Sequence, residues 1–381
     1  MKILNVVGAR PNFMKIAPLI RAMSQQGDMK PFLVHTGQHY DVSMAGQFFK
    51  DLGIPEPDVS LEVGSGSHAS QTAEIMKRIE PVLERERPDM LLVVGDVNST
   101  MAAAVTAAKL CIPVAHVEAG LRSFDRSMPE EINRILTDAI SDLLFVTERS
   151  AVENLRNEGV SQDKIHFVGN VMIDTLLKHR DKAKQLDLLS RLSLRPANSE
   201  KVVEFGLLTL HRPSNVDNPN VFIGILEAVF ELAKKMPILF PVHPRTRKRI
   251  EAFDLPAPLM PCGPGIGGPG LYGLDPLGYL EFLCLMSSAR IVLTDSGGIQ
   301  EETTVLGVPC VTLREQTERP ATVTDGTNIL AGIQKQNILD AAHTWLDPLS
   351  NQTLGRIPPL WDGHAAERIV AILRQKVASC V

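Results

Sequence analysis

Short aliphatic, β-rich runs alternate with longer helical patterns along this chain, and few folds accept that rhythm. Strand-like runs fall at residues 3–7, 31–35, 90–94, 114–117 and 143–146, with a shorter one at 165–168. Helical patterns fill the gaps, as at 11–25 and 98–110. Short strands bounded by turn residues and separated by helices predict parallel sheets made of βαβ units. Between residues 174 and 201 the rhythm stops in a charged amphipathic segment, then resumes at 202–210, 237–242, 289–293 and 309–313. The chain therefore reads as α/β, with two doubly wound Rossmann-like domains facing a cleft. The expected division is 1–175, a bridging helix and linker over 176–200, 201–360, and a closing helix at 361–381 with an apolar stripe through Ala366, Ile369, Ile372 and Leu373. In such folds ligands gather at the carboxyl ends of the strands.

At 381 residues each half can bury its own core. A formal charge of −5, with only 2 tryptophans and 3 tyrosines, argues against a nucleic-acid binder. No apolar run approaches the roughly 20 residues that cross a bilayer, so no membrane partner is expected. The first residues read as a strand running into a glycine turn, without a signal-peptide pattern. The 5 cysteines are scattered without Cys-x-x-Cys spacing, three of them in apolar contexts that suit buried thiols. The cytoplasm is the expected compartment. No His/Cys cluster has metal-ligand spacing, and the first strand ends Gly8-Ala9-Arg10-Pro11, not G-x-G-x-x-G. Neither a metal nor a nicotinamide cofactor is expected.

The chemistry concentrates in Thr294-Asp295-Ser296-Gly297-Gly298-Ile299-Gln300-Glu301-Glu302. An apolar strand that breaks at Ser-Gly-Gly and restarts as a helix leaves unpaired N–H groups at the positive end of the helix dipole, a site for phosphate. Glu302, one turn on, would repel phosphate but accept hydrogen bonds from sugar hydroxyls. Together they point to a nucleotide sugar. Other charges follow predicted strands: Arg10 and Lys15 after the first, Asp96 after the third, Glu118 at the end of the fourth. Carboxylates there are costly unless used or paired. Glu130 opens a helix with Arg134 four residues on, and Glu131 reads as dipole compensation. His116 reads as a packing or supporting residue, and His243 either lines the cleft or is structural. The Gly/Pro-rich segment 261–270 reads as a surface loop, since its prolines remove the N–H groups a phosphate cradle needs.

The segment 294–302 resembles a signature of the non-hydrolysing UDP-N-acetylglucosamine 2-epimerases. Gly8-Ala9-Arg10-Pro11 with Lys15, Gly95-Asp96, His116-Val117-Glu118-Ala119-Gly120-Leu121-Arg122, Met128-Pro129-Glu130-Glu131-Ile132-Asn133-Arg134, Gly169-Asn170, His211-Arg212 and Thr317-Glu318-Arg319-Pro320 match the same family in order and spacing. The resemblance implies the GT-B fold, with the closing helix crossing back onto the first domain, and a homodimer. It also implies catalytic roles for Asp96, Glu118, Glu130 and His211, the last beside the phosphates. Ser296, Gly297 and Gly298 match positions that meet the diphosphate, Glu302 one that holds the ribose, and Phe282 one near the uracil. Arg10, Lys15 and Arg319 match further nucleotide contacts.

The implied chemistry suits this set. C2 of the sugar carries an acetamido nitrogen, so its proton is not acidic and enolisation is closed to it. Expelling UDP from C1 as C2 loses its proton gives a 2-acetamidoglucal, and re-addition with protonation on the other face inverts C2. That needs carboxylates on both faces and cations for the leaving diphosphate. Ser123-Phe124-Asp125-Arg126, His243-Pro244-Arg245-Thr246, Ser214 and Leu277 depart from the commonest bacterial form. They resemble members that include epimerases of the 2,3-diacetamido glucuronate analogue, so the substituents at C3 and C6 stay open. Gln38-His39 matches part of an allosteric substrate site known in some members. A GT-B glycosyltransferase and a non-catalytic sensor are the readings from other classes. The first would need an acceptor pocket, and the second would not need three carboxylates.

Overall fold

The structure is a computed structural model, and it describes residues 1–37, 52–196, 199, 201–253, 255, 258–262, 265–347 and 355–378. Gln38-His39 and Cys380 lie outside them. The chain divides into two compact units, Met1–Lys178 with Pro359–Val381, and His179–Pro358.

The first unit holds a seven-stranded sheet in the order β3-β2-β1-β4-β5-β6-β7. Its strands are β1 (Lys2–Val7), β2 (Lys30–His35), β3 (Val59–Ser60), β4 (Met90–Val94), β5 (Val114–Ala119), β6 (Leu143–Val146) and β7 (Ile165–Phe167). Every pairing is parallel. Helices cover both faces of such a sheet, so β4 to β6 are buried along their whole length, and β4 and β6 read as unbroken apolar runs, not alternating ones. The last helix, Ala365–Ala378, packs on Arg10–Ser24 in this unit. Its first N–H groups, from Ala365 and Ala366, donate to the Asp174 carboxylate at 3.1 and 2.7 Å. Burial pushes that carboxyl up to about 6, although the two bonds oppose the rise. Just before this helix the Trp361 indole donates to the Thr147 carbonyl at 2.8 Å.

The second unit repeats the plan in the order β10-β11-β9-β8-β12-β13-β14. These are β8 (Gly206–Thr209), β9 (Pro237–Pro241), β10 (Met260–Pro261), β11 (Gly270–Leu274), β12 (Ile291–Thr294), β13 (Cys310–Thr312) and β14 (Asn328–Leu330). Its pairings are parallel too. Chain order reverses direction between β8 and β12, which opens a crevice at their carboxyl ends.

Three expectations need correction. The run 202–210 is a strand only over Gly206–Thr209, because register partners begin at Gly206 on both β9 and β12, and Val203 is left exposed. The segment 261–270 is not simply a loop: Pro261 ends β10 and Gly270 opens β11, which pairs with β9. Two of the described cysteines are buried, Cys284 and Cys310, while Cys262 is half-buried and Cys111 exposed.

Candidate active site

In the first unit the carboxyl ends of β1, β4 and β5 converge. Lys15, on the helix that follows β1, forms an ion pair with Glu118, and both side chains are buried. Glu118 stands at φ 73°, where β5 slips register against β6 between Val117 and Ala119. A left-handed, non-glycine residue costs about 1–3 kcal/mol and persists where surrounding structure over-determines it. Gly95, after β4, is also left-handed, and a Cβ there would stand 2.9 Å from Lys15 Nζ.

Asp96 follows, and the buried Arg134 guanidinium donates to its carboxylate at 2.5 Å. Arg134 also donates to Glu131 at 2.6 Å. Glu131 is not mere dipole compensation. It is buried and accepts the N–H groups of Ser123 and Phe124, each at 2.9 Å. Burial opposes its ionisation, but those bonds and Arg134 hold the carboxyl below its ordinary range. Glu130, its half-buried neighbour, makes no ion pair or hydrogen bond among the described residues, and Arg134 turns to Asp96 instead. Arg10 begins the Arg10–Ser24 helix.

In the second unit β12 ends in the fully buried Asp295, and the helix Gly297–Leu306 starts two residues later. Asp295 accepts the N–H groups of His211 and Arg212 at 3.0 and 2.9 Å, and His211 Nδ1 lies 3.0 Å from it. Burial works against the charge, but His211 and these N–H groups outweigh it and hold the carboxyl low. Asp295 therefore ties β8's end to β12's end and orients His211, whose ring is half-exposed.

Ser296 makes no side-chain cap on the helix behind it. Gly297 is required by its neighbours, since a Cβ would fall 2.7 Å from Arg319 Nη1 and 3.0 Å from Glu318 Oε1. Around it three guanidiniums share two buried carboxylates. Glu318 takes Arg319 at 2.6 Å, Arg314 at 2.7 Å and Arg212 at 3.3 Å, and Glu301 takes Arg319 at 2.8 Å. Burial would raise the Glu318 carboxyl, but the arginines hold it well below its usual range. The three guanidiniums and two carboxylates leave one positive charge in excess beside a helix N-terminus, surroundings that favour an anion.

Glu302 is buried on the same helix and accepts the Tyr279 hydroxyl at 3.0 Å. Burial, with Glu301 adding to it, pushes its carboxyl up to about 8 against the effect of the Tyr279 bond. Half-buried Phe282 lies on Tyr279–Ser288, the helix that carries this tyrosine. His243 caps the helix Pro244–Ala252 by accepting the Arg245 N–H at 3.2 Å, and its ring lies 6.0 Å from that of His211. Among the described residues no group of three His, Cys, Asp or Glu could hold a metal, and no helix is long and apolar enough to cross a membrane.

Asp295, Glu318, Arg314 and Tyr279 escaped the sequence reading as working residues. Asp295 carried a signal, because it is a carboxylate at a strand end like Asp96. The others are recognisable only from their partners.

Two Rossmann-like units, one with held carboxylates at its strand ends and one with an arginine-flanked helix N-terminus, define a nucleotide-sugar enzyme of the GT-B class. The sequence pattern of the UDP-N-acetylglucosamine 2-epimerases matches residues 21–374. The UDP-N-acetylglucosamine 2-epimerase of Methanocaldococcus jannaschii is 42% identical over 98% of this chain and 99% of its own. A crystal structure of the M. jannaschii enzyme in complex with UDP-GlcNAc and UDP superposes with a TM-score of 0.87 over 98% of this chain and 100% of that one. The UDP-2,3-diacetamido-2,3-dideoxy-D-glucuronate 2-epimerase of Pseudomonas aeruginosa is 43% identical over 91% of this chain and 92% of its own. The chain belongs to the UDP-N-acetylglucosamine 2-epimerase family.

Proposed function

We propose that this enzyme interconverts UDP-N-acetylglucosamine and UDP-N-acetylmannosamine by eliminating and re-adding UDP through a 2-acetamidoglucal. Family membership supports the reaction, and the observation that carries the residue assignment is the division of labour between the units. The first supplies Asp96, Glu118 and Glu130. The second supplies Ser296, Gly297, Gly298 and His211 for the diphosphate, Glu302 for the ribose and Phe282 for the uracil. Arg10, Lys15 and Arg319 add cationic contacts to the nucleotide.

As the C1–O bond breaks, its electrons pass to the UDP diphosphate, where the helix N-terminus and the arginine cluster offset the charge. A carboxylate removes the C2 proton as the C1–C2 double bond forms. Re-addition of UDP with proton delivery from the opposite face gives the other epimer. Of these three carboxylates, Glu130 forms no ion pair among the described residues, which suits it to act on C2. Water must be kept out, because its capture of the glucal route would release free sugar.

In deuterium oxide the epimerised product should carry deuterium at C2, read by mass spectrometry and proton NMR. Product that retains its original hydrogen would exclude elimination through a glucal. Identity to the P. aeruginosa relative, 43%, is close to the 42% of the M. jannaschii one, so the diacetamido-glucuronate substrate is the second reading. The two substrates compared by kcat/KM in the same experiment decide between them. The enzyme is further proposed to be a cytoplasmic homodimer serving cell-surface polysaccharide synthesis, and sedimentation at micromolar concentration tests the dimer.

Glu302 adds a pH dependence. A ribose held by hydroxyl donors needs the carboxylate, yet in the free protein this group keeps its proton up to about 8. Binding a UDP-sugar should therefore release a proton below that pH, and affinity should fall as pH drops, by up to about tenfold per unit. Calorimetry in buffers of different ionisation enthalpy reads the proton directly. Affinity that is flat from about pH 6 to pH 8 would remove Glu302 from the ribose.

The same group opposes folding over that window. Its folded pKa lies above the unfolded value, so the unfolded chain loses the proton first, and stability declines as pH rises from the ordinary carboxylate range to about 8. Glu302→Gln should then melt higher than wild type at pH 8 while binding UDP-sugars more weakly.

A further inference from the structure

The strained Glu118 is flanked on both sides by ties to one buried carboxylate. Asp138, on the helix Pro129–Ile140, accepts the Gly120 N–H through Oδ2 at 3.0 Å, and its Oδ1 lies 2.6 Å from His116 Nδ1. The other ring nitrogen, His116 Nε2, lies 2.8 Å from the Gly95 carbonyl. A carbonyl has no hydrogen to give, so Nε2 donates there. Asp138 already accepts from Gly120 and pairs with Arg122 at 2.7 Å, so it too is an acceptor and Nδ1 donates to it. His116, Asp138 and Arg122 are all buried, and Arg122 continues to Glu158 at 2.6 Å.

The consequence is geometric. Residues 116 and 120 bracket Glu118, and one carboxylate fixes both. The same imidazole holds the carbonyl of Gly95, the residue before Asp96, and a Cβ added to that glycine would stand 3.8 Å from Glu118 Oε2. A slip of this brace would move Glu118 and Asp96 together. Misplacing reacting groups by about 1 Å costs on the order of 100-fold in rate.

We propose that Asp138 and His116 are positioning residues that clamp the kink at Glu118 and the turn before Asp96 for the reaction. The proposal rests on the assignment of Asp96 and Glu118 to catalysis. Most of the nucleotide contacts assigned above lie in the second unit, and Lys15 in the first is paired with Glu118 and not with Asp138 or His116, so UDP binding and the brace can be read separately.

The test uses three substitutions in the full-length enzyme. Asp138→Asn puts an amide donor against either Gly120 N–H or His116. His116→Gln can still donate to the Gly95 carbonyl but loses Asp138, and His116→Asn does the reverse. Each should lower kcat on the order of 10- to 100-fold, while the dissociation constant for UDP stays within about twofold of wild type. Because each His116 variant keeps one half of the brace, both should remain folded by thermal melting even where Asp138→Asn does not.

Unchanged kcat in His116→Gln and His116→Asn would overturn the proposal. So would a loss of UDP affinity that matches the loss of kcat, which would mark a merely structural role. Glu118→Gln serves as the control. If it turns over normally, the catalytic assignment fails; if it is inactive while the three variants are active, only the brace fails.

Discussion

Glu130→Gln, Glu118→Gln and Asp96→Asn should each lower kcat by on the order of 100-fold or more, with UDP still bound. The three differ in what else they disturb. Glu118→Gln leaves buried Lys15 without its counter-charge, and a buried pair broken on one side costs about 3–5 kcal/mol. That variant should melt well below wild type. Asp96→Asn leaves Arg134 its bond to Glu131, and Asp96 is partly exposed, so its melting point should fall less. Glu130 forms no ion pair among the described residues, so Glu130→Gln should be as stable as wild type and still nearly inactive. Single-turnover rates, UDP calorimetry and thermal melts separate these effects. Wild-type turnover in any of the three removes that residue from the mechanism.

The alternation of strands and helices was legible because parallel strands are buried on both faces. Runs such as Met90–Val94 then carry no polar residue to disguise them. The strands that escaped lack that signature. β11 is Gly-Leu-Tyr-Gly-Leu, β3 is two residues ending in Ser60, and β14 begins with Asn328. Val202 and Val203 have the composition of a strand but no strand partner among the described residues, Val203 donating instead to the Leu194 carbonyl, and composition cannot report a missing strand. The site shows the same limit. Strand-end carboxylates such as Asp96 and Glu118 are visible in sequence because the fold sends strand ends toward ligands. Pairings are not: Arg134 meets Asp96 across 38 residues, and Arg212 meets Glu318 across 106. Sequence also placed Arg134 on Glu130's face, while the folded helix turns it to Asp96 and Glu131.

The arginine cluster yields the second large effect. Glu318→Gln should lower the melting temperature of the free enzyme on the order of 10 °C, since Arg319, Arg314 and Arg212 would then face a neutral amide in a buried site. Glu301 alone would offset three guanidiniums, leaving two charges in excess where wild type leaves one. A diphosphate at the neighbouring helix N-terminus supplies what was removed. UDP should therefore raise the melting point of Glu318→Gln by more than it raises that of wild type. The comparison is made at one UDP concentration for both proteins, because stabilisation grows with the ratio of ligand to dissociation constant: about 100 times the dissociation constant gives roughly 2.7 kcal/mol, and tenfold tighter binding adds about 1.4 kcal/mol. Tighter UDP binding by the folded variant accounts for the surplus, and calorimetry below the melting range measures it. Uridine, which carries the base and ribose but no phosphate, should give no surplus. An equal UDP-induced shift in both proteins would mean that the cluster braces the fold without touching the diphosphate, and would leave the phosphate to the helix end alone.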